Sequence, residues 1–233
     1  LLRNRPEEVV ETPAPTPPVV AEAAPESEKS EPLEIGPLPE LDDSDAWLRG
    51  LIGQLSAHPE LAEWLVTDEM IRRFVARVHT QAQGTTPSPH LPFMVPEVPF
   101  KIVERDAQFC VDPGSYERYD PAVEAVTSID SEGAAQLYAA LLPLFREAYR
   151  DLGYPGQTFD DAMRQAVDRL LETPVVSSDI EVIRKVSSYE LADPELEKLP
   201  SASKNFLRFG PRNLRRLQAK AREIAALTDL EVN

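Results

Sequence analysis

Proline placement restricts this 233-residue chain more than any other feature: of 23 prolines, nine fall within residues 1–40, a stretch without one aromatic side chain. Each locks φ and removes a backbone donor, so neither a helix nor a sheet ladder can run through such a density. Pro, Glu, Ala, Val and Thr recur there with no apolar period, and the expectation for residues 1–40 is a disordered Pro/Glu-rich arm. Residues 1–45 carry three basic and twelve acidic side chains, which is -9 of a total formal charge of -16. Self-repulsion and polyproline preference make the arm a stretched spacer reaching about 3 Å per residue.

Past the arm, spacing changes to that of helices, and residues 41–230 read as one mainly α, compact multi-helix domain. Ser44 is placed to cap a helix with Trp47, Leu48, Leu51, Ile52 and Leu55 on one side, and Pro59 opens a second short helix with Leu61, Trp64 and Leu65. Thr67 or Asp68 is placed to cap a third, carrying Ile71, Phe74, Val75 and Val78. Five prolines from Pro87 to Pro99 then enforce a loop around Leu91, Phe93, Met94 and Val95. Residues 100–104 and 108–111 read as a small β-hairpin about a turn at Arg105-Asp-Ala107. A short helix follows Asp120-Pro121. Ser131 is expected to cap the longest helix, ending at Gly153, with Ala135, Tyr138, Leu142, Phe145 and Tyr149 inward and Pro143 kinking or splitting it. Thr158 caps the next, whose expected stripe is Phe159, Met163, Val167, Leu170 and Leu171 before Pro174 stops it. Ile180 to Val186 alternates like an edge strand, although the same residues could begin a helix. Asp193-Pro194 opens a single turn, Lys204 to Arg208 a second, and Pro211 the last helix.

Charge is segregated as well: Lys198 to Arg222 holds eight basic residues and no acidic one. At 100° per residue from Arg212, Leu214, Leu217, Ala221, Ile224 and Ala225 lie between about 120° and 220°, whereas Arg212, Arg215, Arg216, Lys220 and Arg222 lie within about 80° of zero. The reading is a helix with its apolar side packed and five cations outward. Lys204, Arg208, Arg212, Arg215, Arg216 and Lys220 are therefore the candidate partner-binding residues. An acidic envelope protein, the chain's own acidic arm or an anionic lipid surface would suit them. Nucleic acid is disfavoured, because a net charge of -16 repels phosphate at long range.

Chemistry-bearing motifs are sparse. Cys110 is the only cysteine, so the chain alone can build neither a disulfide nor a thiolate metal cluster. His58, His79 and His90 have no metal-ligand spacing, and there is no nucleophile elbow, phosphate loop or dinucleotide fingerprint. The expectation is no cofactor, no metal and no catalytic residue. Arg118, Tyr119 and Asp120 form the most site-like polar cluster and carry the alternative reading, an enzyme with a composite site. No run of 18 apolar residues occurs. Leu1-Leu2 followed by Arg3 and Arg5 reads as the flank of a membrane helix ahead of the chain.

Four segments, Arg118-Tyr119-Asp120-Pro121, Leu152-Gly153-Tyr154-Pro155, Ala192-Asp193-Pro194-Glu195-Leu196-Glu197 and Lys204-Asn-Phe-Leu-Arg-Phe-Gly-Pro-Arg-Asn213, together resemble the bacterial family catalogued as domain of unknown function 3014. The resemblance spans about Leu38 to Leu230. Phe209 stands where the family pattern has methionine and Arg212 where it has glutamate, so part of the basic face is peculiar to this chain. The resemblance implies a short N-terminal segment, one inner-membrane helix, a proline-rich linker and this domain, with no activity attached. The combined expectation is a non-catalytic cell-envelope interaction or scaffold module, its domain periplasmic. Lipid binding through the basic face and the composite-site enzyme are the alternatives.

Overall fold

A computed structural model describes residues 33–85, 96, 98–154, 156–177, 179–185 and 188–232. Of the disordered arm expected over residues 1–40, residues 1–32 lie outside the described residues, as does the loop with Leu91, Phe93, Met94 and Val95; residues 33–40 are described and hold no helix or strand. A 3-10 turn (Leu41–Asp43) leads into α1 (Ser44–Leu55), α2 (Pro59–Trp64) and α3 (Met70–Ala82). A hairpin of β1 (Ile102–Arg105) and β2 (Gln108–Val111) precedes α4 (Gly114–Glu117), α5 (Asp120–Thr127), α6 (Ser131–Asp151) and α7 (Phe159–Glu172). Then come β3 (Val182–Arg184), β4 (Tyr189–Leu191), α8 (Pro194–Glu197), α9 (Ser201–Leu207) and α10 (Gly210–Ala226). The fold class is thus mainly α with minor strands, as the periodicity requires.

Apolar burial sets the centre of the fold at α6, which contributes Leu137, Leu141, Leu144, Phe145, Ala148 and Tyr149 to the main core. Ile71, Val75, Val78 and Ala82 of α3 pack against it, with Leu48, Leu51 and Leu55 of α1. The buried face of α7 differs from the expected stripe: it is Phe159, Ala162 and Ala166, while Val167, Leu170 and Leu171 are only half-buried. Alanine has no bulk to hold a neighbour off, which suits a line along which α3 and α7 meet. Phe145 and Phe159 stack obliquely with centroids 5.0 Å apart. Of the two outcomes expected at Pro143, a kink or a split, the split does not occur: α6 runs continuously through it. Pro143 and Ala139, whose carbonyl loses its donor, are both exposed, so water can satisfy that carbonyl.

One helix start is fixed by a side chain that sequence proximity does not identify. Asp45 of α1 accepts from the backbone N–H groups of Glu69 (2.7 Å) and Met70 (3.0 Å), so the start of α3 is capped from another helix rather than by Thr67 or Asp68. Asp68 instead pairs with Arg49. Ser44 is buried and donates to the carbonyl of Leu41, continuing the preceding turn. At α6 the cap is Asp130, one residue before the expected Ser131, and its carboxylate accepts from Gly133 N–H at 2.6 Å. Thr158 caps α7 as expected, accepting from Asp161 N–H at 3.1 Å.

The first hairpin turns through Asp106 and Ala107 alone, both at positive φ (50° and 63°), with Arg105 paired to Gln108. Residues 182–184 are strand and not helix, because a partner exists: β4 pairs with β3, and Val111 N–H donates to Ile180 O at 2.9 Å, joining the two hairpins. Val111, Ile180, Val182 and Leu207 form a second, smaller core. At the front of the domain, Leu33 packs against the main core and its N–H donates to Gln136 Oε1 at 3.1 Å. Trp47 also packs there, while Trp64 is half-buried at the end of α2.

Candidate functional site

The elbow between α9 and α10 is built on one glycine. Gly210 holds φ at +75°, and a Cβ there would lie 2.5 Å from Tyr116 Cγ, so only glycine permits this approach. The close fit brings α10 onto α4 and α5. Tyr119, buried, stacks on Phe209 with centroids 4.3 Å apart. Asp120 accepts from Asn213 Nδ2 at 2.7 Å through one carboxylate oxygen and from Arg212 through the other. Burial pushes its pKa upward, but the hydrogen bonds from Arg212 and Asn213, with the charges of Arg212 and Arg216, hold the carboxyl below the usual aspartate range. Arg118 turns away from Asp120: Nε donates to Ser115 O at 2.8 Å, one terminal nitrogen donates to Val98 O at 3.1 Å, and the guanidinium lies over the Tyr119 ring at 5.0 Å. Arg118, Tyr119 and Asp120 are therefore adjacent but do not converge on a common point.

On the other flank of the elbow, Lys204 donates to Glu197 Oε1 at 2.6 Å and to Glu197 O at 3.1 Å. The other oxygen of Glu197 accepts from Leu191 N–H at 2.9 Å. The Lys204 hydrogen bond first, then that of Leu191, draw the Glu197 carboxyl below its ordinary range. Two of the recognised segments, around Arg118 and around Asp193, thus each bond the third, Lys204 to Asn213, at its opposite ends.

A family described as "Protein of unknown function (DUF3014)" matches residues 70–225. The chain belongs to that family. No curated protein and no solved structure matches it. The matched DUF3014 span starts at α3, so α1 and α2 lie ahead of it, and it is shorter than the span expected from the motifs.

Within this DUF3014 domain the six candidate cations have different fates. Lys220 is 14% exposed and donates to Ile129 O (3.0 Å) and Ser131 Oγ (2.8 Å), tying α10 to the start of α6. Arg216 is half-buried and donates to Thr127 Oγ1 at 2.9 Å. Lys204 and Arg212 hold Glu197 and Asp120 as described. Arg215 is exposed and donates to Ser177 Oγ at 2.6 Å, and Arg208 is exposed. Five outward cations were expected on α10; Arg212, Arg215 and Arg222 face solvent, and the other two serve the domain interior.

The inward face of α10 is also less apolar than its phase suggests. Asn213 and Gln218 are both buried. Gln218 Nε2 donates to Leu170 O (3.0 Å) and Thr173 O (2.9 Å), tying α10 to carbonyls at the end of α7. Both residues sit at the edges of the apolar arc, at about 100° and 240° from Arg212, and a polar residue flanking a buried stripe is the signal that would have found them. The fourth family segment lies apart: Tyr154 stacks on His79 at 3.9 Å, and His79 Nδ1 bonds Tyr149 Oη at 3.0 Å. A separate cleft of about 370 Å³ between α6, α7 and residues 227–231 contains Tyr138, whose hydroxyl burial pushes up to about 12, beside the Arg146–Asp160 pair. Among the described residues, no three His, Cys, Asp or Glu side chains are placed to hold a metal ion. No helix among them is long and apolar enough to cross a membrane.

Proposed function

We propose that this chain is a non-catalytic interaction module of the cell envelope, held off the inner membrane by its acidic proline-rich arm. Its docking surface is the solvent-facing arginines of the elbow and last helix, Arg208, Arg212, Arg215 and Arg222, with an acidic envelope protein as partner. The observation that carries this reading is the division of labour among the cations. Lys204, Arg216 and Lys220 are consumed by internal hydrogen bonds, yet Arg208, Arg215 and Arg222 remain exposed and form no ion pair with a carboxylate among the described residues. Exposed arginine without a carboxylate partner is suited to bidentate recognition of carboxylates. Support for the tether comes from the composition of the arm and from the layout expected of the family. The catalytic alternative draws little from the Asp120 cluster, where both carboxylate oxygens are already engaged.

The test is photo-crosslinking in cells of the full-length protein with the crosslinker placed at Arg215 or Arg222, against a control at the buried Leu214. A discrete adduct to one protein, lost when Arg208, Arg215 and Arg222 are reversed to Glu, supports the reading. Adducts to lipid alone would favour the anionic-membrane alternative. Recovery of the intact protein in the soluble cytoplasmic fraction would overturn the tether.

A further inference from the structure

The geometry points to an occupant for the arginine strip within the same chain: the acidic segment of the arm from Glu22 to Glu31. This deepens the proposed docking surface and rests on it, naming the partner that competes for it. The strip is one face of α10, where Arg212, Arg215, Ala219 and Arg222 are all exposed. Its length from Arg212 to Arg222 is about 15 Å at 1.5 Å per residue. Arg212 remains 66% exposed although it bonds Asp120, and Glu223 on the flank is held by Lys220 at 3.3 Å.

The place where the arm joins the domain makes this segment the relevant one. Leu33 N–H is fixed to Gln136 Oε1 on α6, little more than one turn along from Ser131. Ser131 is where Lys220 anchors the middle of α10, and Leu227 just past its end shares a cleft with Ala135 and Tyr138 of α6. The arm therefore leaves the domain from α6, the helix to which Lys220 ties α10. From Leu33 back to Glu22 an extended chain covers about 30 Å, about twice the length of the strip. Between those ends stand Glu22, Glu26, Glu28 and Glu31 against the single Lys29. Tethering sets the local concentration of this segment in the millimolar range, so weak, screened contacts suffice for occupancy at low salt. An envelope partner must then displace the arm, and its binding is weaker than to a domain whose arm is neutral.

Paramagnetic relaxation on the full chain tests this. A nitroxide on Ser27→Cys reports the arm alone, since Cys110 is buried at 4% exposure and escapes labelling. At low ionic strength, amide signals of residues 212–222 should broaden at least twofold more than those of α1, and the excess should vanish at high salt. Replacing Glu22, Glu26, Glu28 and Glu31 with Gln should abolish it, a change confined to the arm and so independent of domain folding; R215E/R222E should do the same. Equal broadening everywhere, or an excess that survives the Glu→Gln change, overturns the proposal. Excess broadening that appears only when labelled protein is mixed with a separate isotope-labelled copy also overturns it, because contact would then be between chains. Absence of an envelope partner would not alter any of these readings, so the two proposals fail separately.

Discussion

The main core around α6 and the elbow around Gly210 are held together in different ways. In the core, Val75, Phe159 and Ile71 are buried to 1% exposure or less, and stability comes from apolar area removed from water, spread over four helices. At the elbow the buried apolar cluster is small, made of Tyr119, Val123 and Phe209. There the joint is closed by a glycine-permitted contact, by Asp120 pairing with Arg212 and Asn213 from a segment distant in sequence, and by the more local Glu197–Lys204 pair. Area-based stability tolerates local substitution in proportion to volume lost, whereas a joint of few matched groups fails when any one is removed.

Breaking the core should cost most. Phe159→Ala removes a side chain 1% exposed that touches the rings of Phe145, Phe74 and Tyr149. It should lower unfolding free energy by about 4 kcal/mol in urea titration, with secondary and tertiary signals lost together. Gly210→Ala comes next, at about 3 kcal/mol, combining a left-handed backbone for a residue with Cβ and a clash with Tyr116. If the elbow is a separate weak joint, amide exchange in α9 and α10 should accelerate in this variant while that of α3 and α6 stays slow. Equal acceleration in both would show the two regions to be one cooperative unit.

The smallest effect is electrostatic. Asp120→Asn should cost about 1 kcal/mol at pH 7, since the site is partly exposed and screened. Because the Asp120 carboxyl is held below its unfolded value, its contribution is complete above about pH 4 and disappears as pH falls through the lowered native value. The difference between wild type and variant should therefore shrink below pH 4, as read from urea midpoints at pH 7 and pH 3. A difference independent of pH would assign the loss to hydrogen-bond geometry and not to charge.

Much of the helical framework was legible because it depends on local rules. Thr158 caps α7 where a threonine followed three residues later by an aspartate should, Gly153 ends α6, and Pro194 and Pro211 sit at helix starts. The site was legible only in part. The cationic phase of α10 was correct as geometry, but which cations remain exposed depends on Ser131, Thr127, Asp120 and Glu197, none within a turn of them in sequence. The same holds for Asp45 capping α3 and for Gln218 tying α10 to the end of α7.

What the sequence by itself determined is the order and approximate extent of most helices, and which face of the last helix carries its cations. Those follow from backbone restriction and from periods of a few residues. Tertiary structure alone decided that β3 would find a strand partner, that α7 would bury alanines, and that Lys204, Arg216 and Lys220 would turn inward while Arg208, Arg215 and Arg222 stay in water. A charged side chain is assigned its role by the acceptor that comes within reach, and that acceptor arrives from another part of the chain only when the domain closes.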